Sequence, residues 1–177
     1  MKKFFALILA VVMMLSVAAF AEEADTAATV MTHEEFVAAE LESEVTVETY
    51  VQDKQSWWDN KATFYCQSED GAYFVYEMPC TEEEYEQLAA GTKIRVTGYK
   101  AEWSGEVEII DATFEILEAD PYIAEATDVT ELLGTDELIN HQNEKVAFTG
   151  LTVEAYDESG AAFAYKNDAE KTDDLYF

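Results

Sequence analysis

Alternation of apolar and polar residues dominates this chain. From Val45 to Gln52 (VTVETYVQ) valine recurs at 45, 47 and 51, the two-residue period of a strand with one buried face. ATFYCQ and AYFVYEMP follow, separated by SEDG, and read as a hairpin. A second strand pair, TKIRVTGYKAEW and EVEIIDATFEIL, is joined by Ser104 and Gly105. Helical signals are short. In THEEFVAAELES, Thr32 stands three residues before Glu35, and in TEEEYEQLAAG, Thr81 stands three before Glu84; both are capping-box patterns, the second with acids in its first turn and Gly91 at its end. The pattern predicts a mostly β protein: a short helix, three strands, a second helix and two more strands.

Register follows from which residues must share a face. A two-residue turn at Asp70 and Gly71 would set Phe64 opposite Glu77 and mix apolar with polar. A three-residue loop of Glu69, Asp70 and a left-handed Gly71 instead puts Ala62, Phe64 and Cys66 on a core face with Phe74, Tyr76 and Met78. Thr63, Tyr65, Gln67, Tyr73, Val75 and Glu77 then point outward. Cys66 falls opposite Phe74, six residues from Cys80, so the two are roughly 20 Å apart at strand rise. A disulfide needs Cα atoms within about 7 Å, so free thiols are expected. In the last strand the inward parity set by Val107 and Ile109 switches to Ile110, Ala112, Phe114 and Ile116, which implies a β-bulge.

This order, with its helix between the third and fourth strands, resembles the oligonucleotide/oligosaccharide-binding (OB) fold, a five-stranded, partly open Greek-key barrel. GTKIRVTGYKAEWSGEVEI carries the closest likeness: Gly91 enters the fourth strand, Gly98 relieves crowding at its bend and Gly105 turns the hairpin. The resemblance covers residues 31 to 118 and implies a complete OB-like domain over 31–120. It also implies a ligand face on strands two and three, flanked by the loops joining strands one to two and four to five. Trp57 and Trp58, in QSWWDN, fall in the first of those loops and Trp103 at the second; they are all the tryptophans of the chain. With Tyr65, Tyr73 and Tyr99 expected outward nearby, an aromatic strip would line the cleft. Adjacent strand residues point to opposite sides, so a structural alternative has one of Trp57 and Trp58 plugging the barrel end.

A partial second copy is expected over 121–177. After Asp120 and Pro121, DVTELLGTDELI is helical in pattern, EKVAFTGLTVEAYD parallels the first strand and AAFAYKNDAEKTDDLYF parallels the hairpin; compare ATFYC with AAFAY. Strands four and five have no counterpart, and DLYF would be an apolar edge. The expectation is a sequence cut short of a longer tandem protein; a C-terminal extension pairing with the first domain is the competing reading.

The N-terminus changes the address. MKKFFALILAVVMMLSVAAFAEE has two lysines, an apolar run and Ala19 and Ala21 in the relation a signal peptidase reads, so residues 1–21 are expected to be a removed leader and 22–30 an acidic, small-residue linker. The mature protein would be secreted or lie in the cell envelope, without membrane insertion. The formal charge is −28, and Arg95 is the sole arginine. Nucleic-acid binding draws its affinity from Lys and Arg meeting phosphates, so no nucleic-acid partner is expected.

Catalytic chemistry finds little support. His33 and His141 lack ligand-spaced neighbours, the serines sit in turns outside any nucleophile motif, and no acidic stretch has calcium-loop spacing. A nuclease, the best-known catalytic use of the resembled fold, would want several arginines. The expectation is a binding module with no enzyme activity, cofactor or metal. An indole face stacks on a sugar ring, a proline or a cation, and the favoured ligand is a glycan of cell-wall type. A peptide or protein partner, or an envelope spacer with buried tryptophans, are the alternatives.

Overall fold

The computed structural model describes residues 29–155 and, as backbone, 162–166; side chains are described as far as residue 152. The expected leader, most of the linker and the DLYF stretch lie outside these residues. Five strands close into one barrel: β1 (Glu44–Lys54), β2 (Lys61–Gln67), β3 (Ala72–Pro79), β4 (Lys93–Trp103) and β5 (Glu106–Ile116), in the order β1-β2-β3-β5-β4. All contacts are antiparallel except the β3–β5 seam, where Phe74 pairs with Glu108 and Val75 with Ile109. The order of strands and the position of the second helix are those the sequence predicts.

Both expected helices form. Helix α1 (His33–Ala38) and helix α2 (Glu82–Gln87) each begin with a complete capping box, Thr32 with Glu35 and Thr81 with Glu84, so the first-turn N–H groups find side-chain acceptors. Phe36 of α1 buries against Tyr73, ring centroids 5.1 Å apart. The Lys100 ammonium, itself buried, ties down the end of α1 by donating to the carbonyls of Phe36, Val37 and Ala39 at 3.0, 2.8 and 2.8 Å. Leu88, which caps α2, is fully buried in the barrel core with Val47, Phe64, Val75, Met78, Ile94, Val96 and Ile109.

The β4–β5 hairpin follows the glycine and parity signals. Ser104 and Gly105 both have positive φ, 53° and 92°, the left-handed pair that a two-residue hairpin turn needs. The expected β5 bulge lies where Asp111 (φ 49°) and Ala112 oppose Gly98, since Thr97 pairs with Thr113 and Tyr99 with Ile110. A Cβ on Gly98 would stand 2.7 Å from the Ile110 carbonyl oxygen and 2.8 Å from Ile109 Cγ2. Only glycine lets β4 pass this close to β5.

The β2–β3 hairpin corrects the expected register by one residue. Cys66 pairs with Tyr73, Tyr65 with Phe74 and Phe64 with Val75, around a four-residue loop in which the Ser68 N–H donates to the Gly71 carbonyl at 2.8 Å. Tyr73 and Val75 therefore point inward, and Phe74 and Tyr76 point outward. A bulge at Tyr76 and Glu77 (φ 45°) then restores the expected parity, so that Met78, opposite Ala62, is buried. Gly71 is not left-handed as expected. Its lack of a side chain instead makes room for the His33 ring, which a Cβ would overlap, while the His33 N–H donates to Asp70 Oδ2 at 2.9 Å. Cys66 and Cys80 are free and buried, as expected.

Beyond the barrel the backbone departs from the repeat pattern in detail. The segment expected to be helical forms two 3-10 turns, Thr130–Leu132 and Leu138–His141, interrupted at Gly134 (φ 78°). The counterpart of the first strand is broken near Gly150 (φ 66°) into β7 (Val146–Ala147) and β8 (Leu151–Ala155). β7 pairs in parallel with β6 (Thr127–Asp128), and β8 pairs with β9 (Ala162–Lys166) as a hairpin.

Candidate binding cleft

The outward face of β2 and β3 is an aromatic floor. Tyr65 and Phe74 are cross-strand partners with ring centroids 5.3 Å apart, and Phe74 and Tyr76 follow at 6.3 Å. Aromatic pairs of this kind keep each other's rings in place. The Tyr65 hydroxyl accepts a hydrogen bond from Gln55 Nε2 at 2.9 Å. Above this floor lies a cleft of about 750 Å³, a size suited to a small ligand.

Its two walls come from different parts of the chain. One is the β4–β5 hairpin, which brings Trp103, Glu106 and Glu108 over the floor. The other is Asn143, Glu144 and Lys145, which follow the second 3-10 turn. Amide side chains bind this second wall to the barrel. Gln142 Nε2 donates to the Gly105 carbonyl at 2.7 Å, Gln142 Oε1 accepts from the Val107 N–H at 2.9 Å, and Asn143 Nδ2 donates to the Val107 carbonyl at 3.1 Å. The Lys145 N–H donates to Gln67 Oε1 at 2.8 Å. At the far end Gln52 anchors the chain that leaves the barrel, donating to the Tyr122 carbonyl and accepting from the Ala124 N–H.

The structure divides the predicted aromatic residues into three groups. Trp103, 73% exposed, and Tyr65 line the cleft. Tyr73, expected to be outward, is 1% exposed and belongs to the core, because the register of β3 is shifted by one residue. Tyr99 lies outside the cleft, in a shallower depression with Leu41 and Ile110. Trp57 packs on the core and donates from Nε1 to the Cys80 carbonyl at 3.0 Å, so the structural alternative describes it. Its neighbour Trp58 is 75% exposed at a tight turn through Asp59 and Asn60.

Neither Trp57 nor Trp58 lines the cleft with Trp103. The register gives the reason: Trp103 pairs with Glu106, near the start of β3, whereas the Trp58 turn leads into Lys61, opposite Pro79 at its end. Phe74 and Pro79 alone are five residues apart, roughly 17 Å of strand. Phe74 and Tyr76 take the place of the missing indoles. The sequence signal for them was present as the opposite parity of the same strand.

The cleft is negatively charged. Asp53, Glu106, Glu108 and Glu144 line it, with Lys145 as the sole lining cation. Burial raises the pKa of Glu106, with the charge of Glu108 adding to the rise and a hydrogen bond from Asn143 opposing it; burial also raises that of Glu108. Glu144 is held by His141 Nδ1 at 2.9 Å. The other cationic side chains described, up to residue 152, are committed elsewhere: Arg95 to Glu48 and Glu115, Lys93 to Glu48, Lys61 to Glu77, Lys54 to the Tyr85 carbonyl and Lys100 to α1.

No protein-family model, curated protein or solved structure matches this chain. The cleft's chemistry therefore has to be read from its own residues. It offers an aromatic floor, one exposed indole, amides and carboxylates as hydrogen-bonding groups, and little positive charge. Among the described residues no helix is long and apolar enough to cross a membrane, and no cluster of His, Cys, Asp and Glu has the arrangement of a metal site.

Proposed function

We propose that this protein is an exported, non-catalytic binding module whose cleft holds a carbohydrate of cell-wall type. The observation that carries this reading is Trp103, exposed above a floor of Tyr65, Phe74 and Tyr76 and flanked by Gln67, Asn143 and carboxylates. A sugar ring has apolar C–H faces that stack on aromatic rings and an equator of hydroxyls that amides and carboxylates receive. Single-stranded nucleic acid also stacks on such a platform, but it requires a basic groove, and the chain's charge of −28 opposes it. Export rests on the leader pattern at 1–21. The barrel order is compatible with the resembled OB fold, and the β8–β9 hairpin with a partial second copy.

Titrating the protein with an N-acetylglucosamine tetramer while following tryptophan emission tests the proposal. The expected result is a saturable change that Trp103→Ala abolishes and Trp58→Ala preserves. Absence of any response, across this and other neutral cell-wall oligosaccharides, overturns it. A protein-partner reading has one specific observation in its favour: Trp58 is 75% exposed outside the cleft. A partner captured in a Trp58-dependent, Trp103-independent way would favour it.

A further inference from the structure

The carboxylates of the cleft make it selective as well as receptive. Asp53, Glu106 and Glu108 lie on its lining, and no salt bridge among the described residues involves any of them. They come from β1 and β5, and together with Trp103 they border the rings of Tyr65 and Phe74 on the floor. A neutral sugar would leave those charges partly desolvated and unpaired, which is unfavourable. An anionic sugar would add repulsion. A ligand that brings its own positive charge offsets both terms, and an ammonium near Trp103 or Tyr65 also gains attraction from the ring face.

Resting on the carbohydrate reading, we infer that the cleft selects glycans bearing unacetylated amino groups, Glu106 and Glu108 on one border of the aromatic floor and Asp53 on the other receiving sugar ammonium groups while the floor stacks the ring. The acetylated counterpart would occupy the same floor by stacking and hydroxyl hydrogen bonds, without the ion pair. Long-range attraction by the acidic surface would speed encounter with a cationic oligosaccharide and repel anionic ones. The contribution that distinguishes the two ligands is Coulombic, so it diminishes with salt, whereas stacking persists.

Calorimetric titration of the full chain with a glucosamine tetramer and with an N-acetylglucosamine tetramer, slightly below neutral pH, tests the inference. The amino tetramer is expected to bind about tenfold tighter, the effect of one well-placed charge pair in a partly desolvated site. High salt should erase most of that advantage in the unmodified protein, a readout that needs no variant. Glu106→Gln with Glu108→Gln should cost the amino tetramer most of its advantage over the acetylated one, with thermal melting as the check on folding. Equal affinities in the unmodified protein at low salt would overturn the selectivity and leave the carbohydrate reading intact. Binding of neither tetramer would remove both. Tetralysine binding as tightly as the amino tetramer and competing with it would show a cation site indifferent to sugar, and would also overturn the inference.

Discussion

The Gln142 side chain holds Val107 as a neighbouring strand would. Its Oε1 accepts from the Val107 N–H at 2.9 Å while its Nε2 donates to the carbonyl of Gly105, two residues earlier, at 2.7 Å. Val107 pairs with Glu102 on its other side, so the amide group occupies the flank of β5 just before the β3 seam begins at Glu108. One side chain thereby fixes the β4–β5 hairpin to the segment that forms the opposite wall of the cleft.

Replacing it should loosen the wall, which Asn143 and Gln67 still hold to the barrel. Gln142→Ala removes two hydrogen bonds, each worth about 1 kcal/mol, and leaves the barrel core untouched. Amide exchange at Val107 should accelerate while exchange at Val96, in the middle of the β1–β4 ladder, stays as it was. Affinity for a cleft ligand should fall in the same variant. Unchanged exchange at Val107 would show that this contact is not what holds the wall.

Gly98 and Gly71 both make room for a neighbour, but they should not be equally sensitive. A Cβ at Gly98 meets the Ile110 carbonyl and the Ala112 backbone, which cannot yield without distorting the bulge, whereas at Gly71 it meets the His33 ring, which can swing away. Gly98→Ala is expected to cost about 2–3 kcal/mol of stability and Gly71→Ala less, as measured by urea unfolding. The reverse order would mean that His33 packing matters more than the strand crossing.

Two sets of carboxylates should give opposite pH dependences. Hydrogen bonds first from Lys93 and then from Arg95 hold Glu48 below the ordinary glutamate value of 4.5, so its folded form favours the charged state. That stabilisation is present above pH 4.5 and is lost as the pH falls through the lowered value. Glu106 and Glu108 are raised by burial, so the folded state binds their protons more tightly and stability falls as pH rises from 4.5 through their raised values. Glu48→Gln should therefore lower the melting temperature at neutral pH, and Glu106→Gln with Glu108→Gln should raise it. Both differences should shrink in acid, which a melting series across pH would reveal.

Burial also governs the thiols. It pushes the Cys66 thiol up to about 12 and raises that of Cys80, with Glu84 adding to the rise, so neither is a ready nucleophile. A thiol-reactive dye should label neither residue in the folded protein at mildly alkaline pH and both in denaturant. Fast labelling of Cys66 in native conditions would contradict its place in the core.

How far the sequence could be read depended on how often apolar and polar residues alternate. VTVETYVQ and TKIRVTGYKAEW alternate clearly enough to fix their inward faces, and the parity change from Ile109 to Ala112 marks the β5 bulge. AYFVYEM offers no such contrast, since nearly every position is apolar. Either parity looks suitable there, and the bulge at Glu77 lets the strand use one after the other. That ambiguity moved Tyr73 into the core and brought Phe74 and Tyr76 to the cleft. The second wall had no hydrophobic pattern at all. It is held by the amides of Gln142, Asn143 and Gln67, whose partners are backbone groups more than thirty residues away in sequence.

The parallel seam that closes the ring is its narrowest joint, with Phe74 to Glu108 and Val75 to Ile109 as its paired residues. Phe74 and Glu108 both also line the cleft, so a bound guest would bridge that joint like a rivet. Breathing of the barrel at this point and occupancy of the cleft would then be mutually exclusive, which would make heat tolerance a measure of how full the protein is.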